Sequence, residues 1–395
     1  MKFCLINNLY QPYSRGGAEV VVARLAEELK SRGQVLVISS QPDDILNCQT
    51  EGGYELCRVN PRNYYYLLDD NNQPVWKKVF WHLKDFNNKK VNKTLINLLR
   101  DRQPDFAFTH NLKGLSLTIP RIIKKLGLIH IHTLHDYQLL EPHGSMHRQG
   151  QNLPLIEPWY RYYRYQTRKR FNSPDLVISP SKFVLDKHLS YGFFKNSQTA
   201  VLPNPISVDE NSLPEKVSSN KLRILYLGQL EKHKGAEFLV KSFLSWNMKQ
   251  FQLTIAGSGS QLEELKKLAL QNEWIKVLGR VERSDLPELF SRTDLLVVPS
   301  IWWENSPTVI YEAYANKVPV LASDSGGSRE LVRDNKTGYI FKSGSEIDLL
   351  DKLNLAWQNK NNLDRLGQAG YELIKEFSPR NYVNKLLDLC VNLKK

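Results

Sequence analysis

Two glutamates, Glu304 and Glu312, stand with seven residues between them in the run VPSIWWENSPTVIYEAYANKVPVLASDSGGSRE, from Val298 to Glu330. A carboxylate has two oxygens and can accept two hydroxyl protons at once, which suits a vicinal diol. The same run reaches Asp324-Ser325-Gly326-Gly327, and glycines let a ligand approach the main chain with no side chain in the way. A helix start nearby would offer free backbone N–H groups to a phosphate. Together these needs describe a sugar linked to a nucleoside diphosphate.

The elements that must position these groups are readable around them. Leu295–Val298 is a short apolar run ending at Pro299 and Ser300, which predicts a buried strand running into a loop. Glu304 lies on that loop. Ser306 reads as an N-cap and Pro307 as a first-turn proline, so Glu312 falls on a helix. A second strand, Val318 to Ser323, leads to the glycine pair, and a short helix begins near Ser328 with Glu330 in its first turn. Strand, loop, helix, strand, loop, helix is the rhythm of an open parallel sheet, where the loops after strand C-termini form the ligand crevice.

The two spaced glutamates, the Glu312-Ala313 pair, the Pro319-Val320 strand and the later Gly326-Gly327-x-x-Glu330 together resemble the donor-site signature of glycosyltransferase family 4, the retaining enzymes of the GT-B fold. One turn departs from the pattern: Asn305-Ser306-Pro307 stands where relatives have a glycine-rich turn. The resemblance implies that Asn305, Ser306, Pro307 and Thr308 line the donor site, that Glu304 holds sugar hydroxyls and that Glu312 holds the ribose diol. Gly228-Gln229-Leu230 with Lys234-Gly235 resembles the family's diphosphate clamp. Lys234 matches it, whereas Gln229 replaces the usual arginine and can offer a hydrogen bond but no charge. Gly16-Gly17, after Arg15, resembles the first loop that reaches the donor phosphates and the acceptor. His135, at the end of a strand, resembles the acceptor-domain histidine that contacts the transferred sugar. Catalysis is thus expected to rest on His135, Lys234 and Glu304, with front-face displacement, no cofactor and no metal.

The 395 residues suggest at least two domains. The resemblance implies an α/β protein of two doubly wound Rossmann-like domains facing a cleft. Expected bounds are 1–204 for an acceptor-side domain, 205–220 for a linker, 221–378 for the donor domain, and 379–395 for a helix crossing back. Residues 41 to 73 look irregular. Val75 to Arg100 reads as one long helix or two.

Residues 1–200 carry 28 Lys and Arg against 17 Asp and Glu, a balance of +11, while the rest of the chain has 26 against 24. A basic first half favours an anionic partner, such as a phospholipid surface or a lipid diphosphate, or is simply a soluble basic surface. Helix Glu157 to Asn172 places Arg161, Arg164 and Arg168 on one face among tyrosines. It reads as an interfacial helix or as an ordinary one with its rings inward. No nucleic-acid recognition motif accompanies the charge.

His130 and His132 share a strand face, yet no third metal ligand follows within reach. The four cysteines, Cys4, Cys48, Cys57 and Cys390, have no metal-type spacing and suggest a reducing compartment with no disulfide frame. The N-terminus lacks a signal-peptide pattern, and no run has the length of a membrane span. A cytoplasmic enzyme, free or peripheral to the membrane's inner face, is expected. It would take a nucleotide-diphosphate sugar and pass the sugar to a glycan or lipid-linked acceptor. A sugar-nucleotide epimerase or a degenerate donor-binding module on the same scaffold remain as alternatives.

Overall fold

The computed structural model describes residues 1–393 apart from 15, 44–45, 149–150, 153–156, 210–212, 247 and 271. Arg15 of the first glycine loop therefore lies outside the described residues, as do three positions of the expected linker. The chain forms two compact units. One comprises Met1–Met146, Pro154–Pro205 and Pro379–Lys395; the other comprises His147–Leu153 and Ile206–Ser378.

In the first unit the strands are β1 (Lys2–Ile6), β2 (Gln34–Ser40), β3 (Asn47–Glu51), β4 (Tyr54–Val59), β5 (Phe106–Thr109) and β6 (Ile129–Thr133). The pair β7 (His147–Arg148) and β8 (Gln151–Asn152) belongs to the second unit. β9 (Leu176–Ser179) and β10 (Gln198–Val201) complete the first sheet, in the order β10-β9-β6-β5-β1-β2-β4-β3. All its pairings are parallel except β3 with β4. The inner strands are short and largely buried, as a sheet covered on both faces requires. The covering helices are α1 (Gly17–Leu29), α2 (Val75–Asp85), α3 (Lys89–Arg102), α4 (Ile119–Lys125), α5 (Pro158–Phe171) and α6 (Lys182–Ser190).

Residues 41–73 are more ordered than their composition suggests, because β3 and β4 form a hairpin there. The β3 sequence NCQTE is polar and exposed, so no apolar alternation betrays it. The hairpin places Cys48 directly opposite Cys57, and the two form a disulfide. The expectation of no disulfide frame is corrected at one pair: Cys4 and Cys390 are free and buried, while a cross-strand register invisible in the spacing joins the other two.

The second unit has strands β11 (Leu222–Leu227), β12 (Phe251–Ala256), β13 (Ile275–Gly279), β14 (Leu295–Val298), β15 (Val320–Ser323) and β16 (Gly338–Phe341). They form an all-parallel sheet in the order β13-β12-β11-β14-β15-β16. Helices α7 (Ala236–Trp246), α8 (Leu262–Ala269), α9 (Leu286–Ser291), α10 (Thr308–Ala315), α11 (Ser328–Leu331), α12 (Glu346–Gln358) and α13 (Leu363–Lys375) cover it. The strand order reverses between β11 and β14, so the crevice of this unit lies past their C-terminal ends. Two apolar clusters occupy the two faces of the sheet, one with Phe243, Phe251 and Leu353, the other with Ile310, Tyr314 and Ile374.

The last helix, α14 (Pro379–Val391), packs in the first unit. It buries Tyr382, Val383, Leu386 and Cys390 beside α1, and Arg32 donates to Asn384 at 2.7 Å. The stretch after Pro205 is no free tether. Ile206 is buried and its N–H donates to Phe377 at 2.9 Å, and Val217 N–H donates to Ser291 at 3.0 Å.

Candidate functional site

The two strands that flank the reversal in the second sheet lead into the loops that carry Lys234 and Glu304. After β11 the chain turns at Gly228, passes through the single 3-10 turn Lys232–Lys234, and enters α7 through Gly235 in the left-handed region at φ +78°. A Cβ on Gly235 would stand 2.0 Å from the Pro299 carbonyl oxygen, so this glycine lets the β11 loop lie against the β14 loop. Ile301 N–H donates to His233 at 3.0 Å and ties the same two loops.

This contact delivers Lys234 to Glu304. The Lys234 Nζ donates to Glu304 Oε1 at 2.8 Å, and the Ser300 hydroxyl donates to the same oxygen at 2.7 Å. Glu304 is only 4 % exposed. Burial works to raise its carboxyl, but the Lys234 charge and the hydrogen bonds from Lys234 and Ser300 prevail and hold it below the usual carboxylate range. Glu304 is therefore a buried anion whose partner is Lys234, and removing either leaves an uncompensated charge. Lys234 also lies over the Trp302 ring at 4.5 Å, and His233 meets that ring edge-on at 5.1 Å. Burial, and then the Lys234 charge, push His233 down to about 4, so near neutral pH it is an uncharged neighbour.

The β15 loop closes on the same point. Glu304 and Gly326 form a parallel bridge, and Gly327 N–H donates to the Glu304 carbonyl at 2.8 Å. A Cβ on Gly326 would lie 2.2 Å from that carbonyl oxygen, and its φ is +63°. Ser323 Oγ donates to the Ser300 carbonyl at 2.6 Å. The two loops expected to lie side by side do so, and the glycines serve the contact between them.

The helix after Glu304 starts one residue later than its sequence suggests. Pro307 is the N-cap and Thr308 the first helical residue, while the Ser306 hydroxyl pairs with the Tyr311 hydroxyl at 2.7 Å instead of capping. Proline offers no side-chain acceptor, so the first N–H groups of α10 have no side-chain cap. Asn305 is buried. Ile310, Tyr311, Ala313 and Tyr314 face the core, whereas Thr308 and Glu312, one turn apart, are half-buried on the opposite side. Gln229 is exposed, and its carbonyl accepts from the Tyr226 hydroxyl at 2.6 Å.

In the first unit, Gly16 is the N-cap of α1 and Gly17 its first residue; the Gly16 N–H donates to Glu19 Oε2 at 3.0 Å. His135 follows β6, and its Nε2 lies 2.8 Å from His110 Nδ1 at the end of β5. Burial pushes His135 down to about 4 and His110 well below the ordinary imidazole range, so both are neutral near pH 7. His130 and His132 are bridged by one hydroxyl, Thr109 Oγ1, at 2.7 and 3.0 Å, and are buried. Among the described residues, the one metal-like cluster is Cys48, Glu55 and Cys57, and its cysteines are the disulfide pair.

Three contributors were missed in the sequence. Ser300 and Trp302 had their signal in the loop PSIWWEN directly after a buried strand. His110 had it as a polar residue at a strand's C-terminal end.

Two family models meet on the chain. The model for glycosyltransferase family 4 matches residues 15–210, and that for glycosyl transferases group 1 matches residues 208–373. An uncharacterized glycosyltransferase of Methanocaldococcus jannaschii, MJ1607, is 31 % identical over 355 residues, 86 % of this chain and 84 % of its own length. An uncharacterized 42.6 kDa protein in the cps region of Klebsiella pneumoniae is 29 % identical over 350 residues, 88 % of this chain and 92 % of its own. Anabaena HepE, solved in complex with UDP-glucose, superposes with a TM-score of 0.70 over 99 % of this chain and all of its own at 18 % identity, a likeness of fold. The switch-point loops, the two doubly wound sheets and these matches lead to one conclusion: the chain belongs to glycosyltransferase family 4 and is a glycosyltransferase of the GT-B fold.

Proposed function

We propose that the enzyme transfers a sugar, with retention at the anomeric carbon, from a nucleoside diphosphate sugar to a glycan or lipid-linked acceptor in surface-polysaccharide or glycolipid synthesis. In this reading it works at the cytoplasmic face of a membrane. The observation that carries the proposal is the Lys234–Glu304 pair at the reversal of the second sheet, 2.8 Å apart. Breaking the sugar–phosphate bond builds negative charge on the leaving diphosphate. A preplaced ammonium beside it stabilises the transition state more than the ground state. Lys234 and the α10 start supply that stabilisation without a divalent ion. Glu304 sets the position of Lys234 and offers its remaining acceptor capacity to sugar hydroxyls, while Glu312 takes the ribose diol.

In the step itself, the bond from C1 to the phosphate oxygen breaks and the acceptor oxygen bonds to C1 on the same face. The acceptor's proton passes to an oxygen of the departing diphosphate. Within the first unit, His135 and the helix start at Gly16-Gly17 are assigned to the transferred sugar and the acceptor. UDP-glucose bound to a fold neighbour, and a relative from a cps region, support the donor class and the glycan setting. Among the described residues no helix is long and apolar enough to cross a membrane.

The test is a panel of UDP-, GDP- and ADP-sugars with and without lipid-linked and oligosaccharide acceptors, in excess EDTA. One donor should release its nucleoside diphosphate only with an acceptor present, giving a product of unchanged anomeric configuration. Interconversion of the donor alone, or inverted product, would contradict the reading.

A further inference from the structure

Helix α2 faces the wrong way for a helix of a globular core. Its buried side is Trp81 and Asp85: the Trp81 ring stacks on Tyr65 at 5.5 Å, its Nε1 donates to the Tyr65 carbonyl at 3.0 Å, and Asp85 Oδ1 accepts from Gly114 N–H at 2.9 Å. At 100° per residue, Val75, Val79, Leu83, Trp76 and Phe80 form one continuous stripe on the opposite side. That stripe is exposed, with Trp76 at 63 % and Phe80 at 49 %. Trp76 and Phe80 touch at 6.4 Å, and exposed Tyr64 extends the patch to Phe80 at 6.1 Å. Helical periodicity is thus satisfied with the apolar arc in solvent.

The charges around the stripe say what covers it. Residues 75–93 hold six lysines and one acid, Asp85, which is buried. Lys77 and Lys84 flank one side of the stripe, and Lys84 lies over the Tyr64 ring at 5.4 Å. Lys89 and Lys90 are exposed at the start of α3. Asp70 of the preceding 3-10 turn is engaged with Tyr65 and Lys78. Protein–protein interfaces are depleted in lysine, whereas an apolar stripe with Trp and Phe and a lysine flank is the make-up of a helix lying in the headgroup region of an anionic bilayer. Helix α5, the basic helix singled out in the sequence, splits its arginines instead: Arg164 is buried over the Tyr191 ring at 4.6 Å, while Arg161 and Arg168 are exposed and Arg168 donates to the Tyr191 carbonyl at 3.0 Å.

We infer that α2 is the membrane-docking element of this enzyme, inserting Val75, Trp76, Val79, Phe80 and Leu83 among the headgroups of anionic phospholipids. The inference deepens the proposed function and rests on it only for the setting of the acceptor. The test is flotation of the full-length protein with vesicles of phosphatidylcholine, or of phosphatidylcholine mixed with phosphatidylglycerol, without donor or acceptor. Binding is expected to the mixed vesicles, to weaken with salt, and to fall by about a hundredfold in Trp76→Ser/Phe80→Ser, since two large apolar side chains are lost. Both positions are exposed, so the melting temperature of the variant should stay within a degree or two of the parent's, by the rule that surface substitutions change stability little.

No binding, equal binding to neutral vesicles, undiminished binding by the variant, or self-association that the variant abolishes would each overturn the inference. Because turnover is not the readout, a negative result leaves the transferase reading standing. Intact vesicle binding with no turnover on any acceptor would count against the transferase reading alone.

Discussion

At the scale of single residues, the chemistry of the site reduces to one buried anion and what surrounds it. Glu304 remains charged because Lys234 and Ser300 share its Oε1. Lys234 in turn reaches out over Trp302 with 22 % of its side chain exposed. The spacing of Glu304 and Glu312 was legible in the sequence, and so was Lys234. Ser300, which completes the carboxylate's shell, was not, because a serine at a strand end has many uses. Gln229 is exposed and carries no charge where a clamp would use one. Gln229→Arg should therefore add a charge-assisted hydrogen bond to the diphosphate and tighten donor binding by about tenfold or more. Titration calorimetry with the cognate nucleotide sugar checks this, and an unchanged affinity would place Gln229 away from the phosphates.

At the scale of elements, the site is a junction of three loops held at closest approach by glycine. The β14–α10 and β15–α11 segments announced themselves through apolar runs that stop at turn residues. The α10 cap was misplaced by one residue because Ser306 prefers Tyr311 to the helix start. The β3–β4 hairpin escaped because its edge strand is polar. Helix α2 had a clear periodicity, but periodicity does not say which arc turns inward; the anchoring of Trp81 on Tyr65 decides that. Gly326 is the tightest test of the junction. Gly326→Ala must accept a left-handed φ and a Cβ 2.2 Å from the Glu304 carbonyl oxygen. The expected outcome is a loss of roughly 2 kcal/mol or more in chemical denaturation, together with weakened donor binding as the Glu304 loop shifts.

At the scale of the whole molecule, the two-unit organisation was legible in the chain length and the family resemblance, while the internal chemistry of the first unit was not. Six histidines, His82, His110, His130, His132, His135 and His188, are neutral there, with burial lowering His82 and His130 to about 3 and His135 and His188 to about 4. Their folded values lie below the unfolded value of about 6.5, so the unfolded chain binds more protons as pH falls. Each such histidine therefore costs stability as pH falls from that point towards its folded value. Asp85 and Asp136, raised by burial to about 7 and about 6, act in the opposite sense between their ordinary range and those values. Six groups against two leaves a net loss. The melting temperature of the first unit should be level from pH 8 to 7 and drop steeply from pH 6.5 towards 4; a flat profile would show the histidines to be solvated.

The most direct measurement compares the thermal shift given by the cognate nucleotide sugar in the parent enzyme and in Lys234→Met, since a ligand that binds only the native state raises its melting point by mass action. The parent should show a clear, concentration-dependent rise. The variant should fold with a lower ligand-free melting point, its Glu304 left unpaired, and show no rise at the same concentrations. A full shift in Lys234→Met would mean that the donor is held elsewhere.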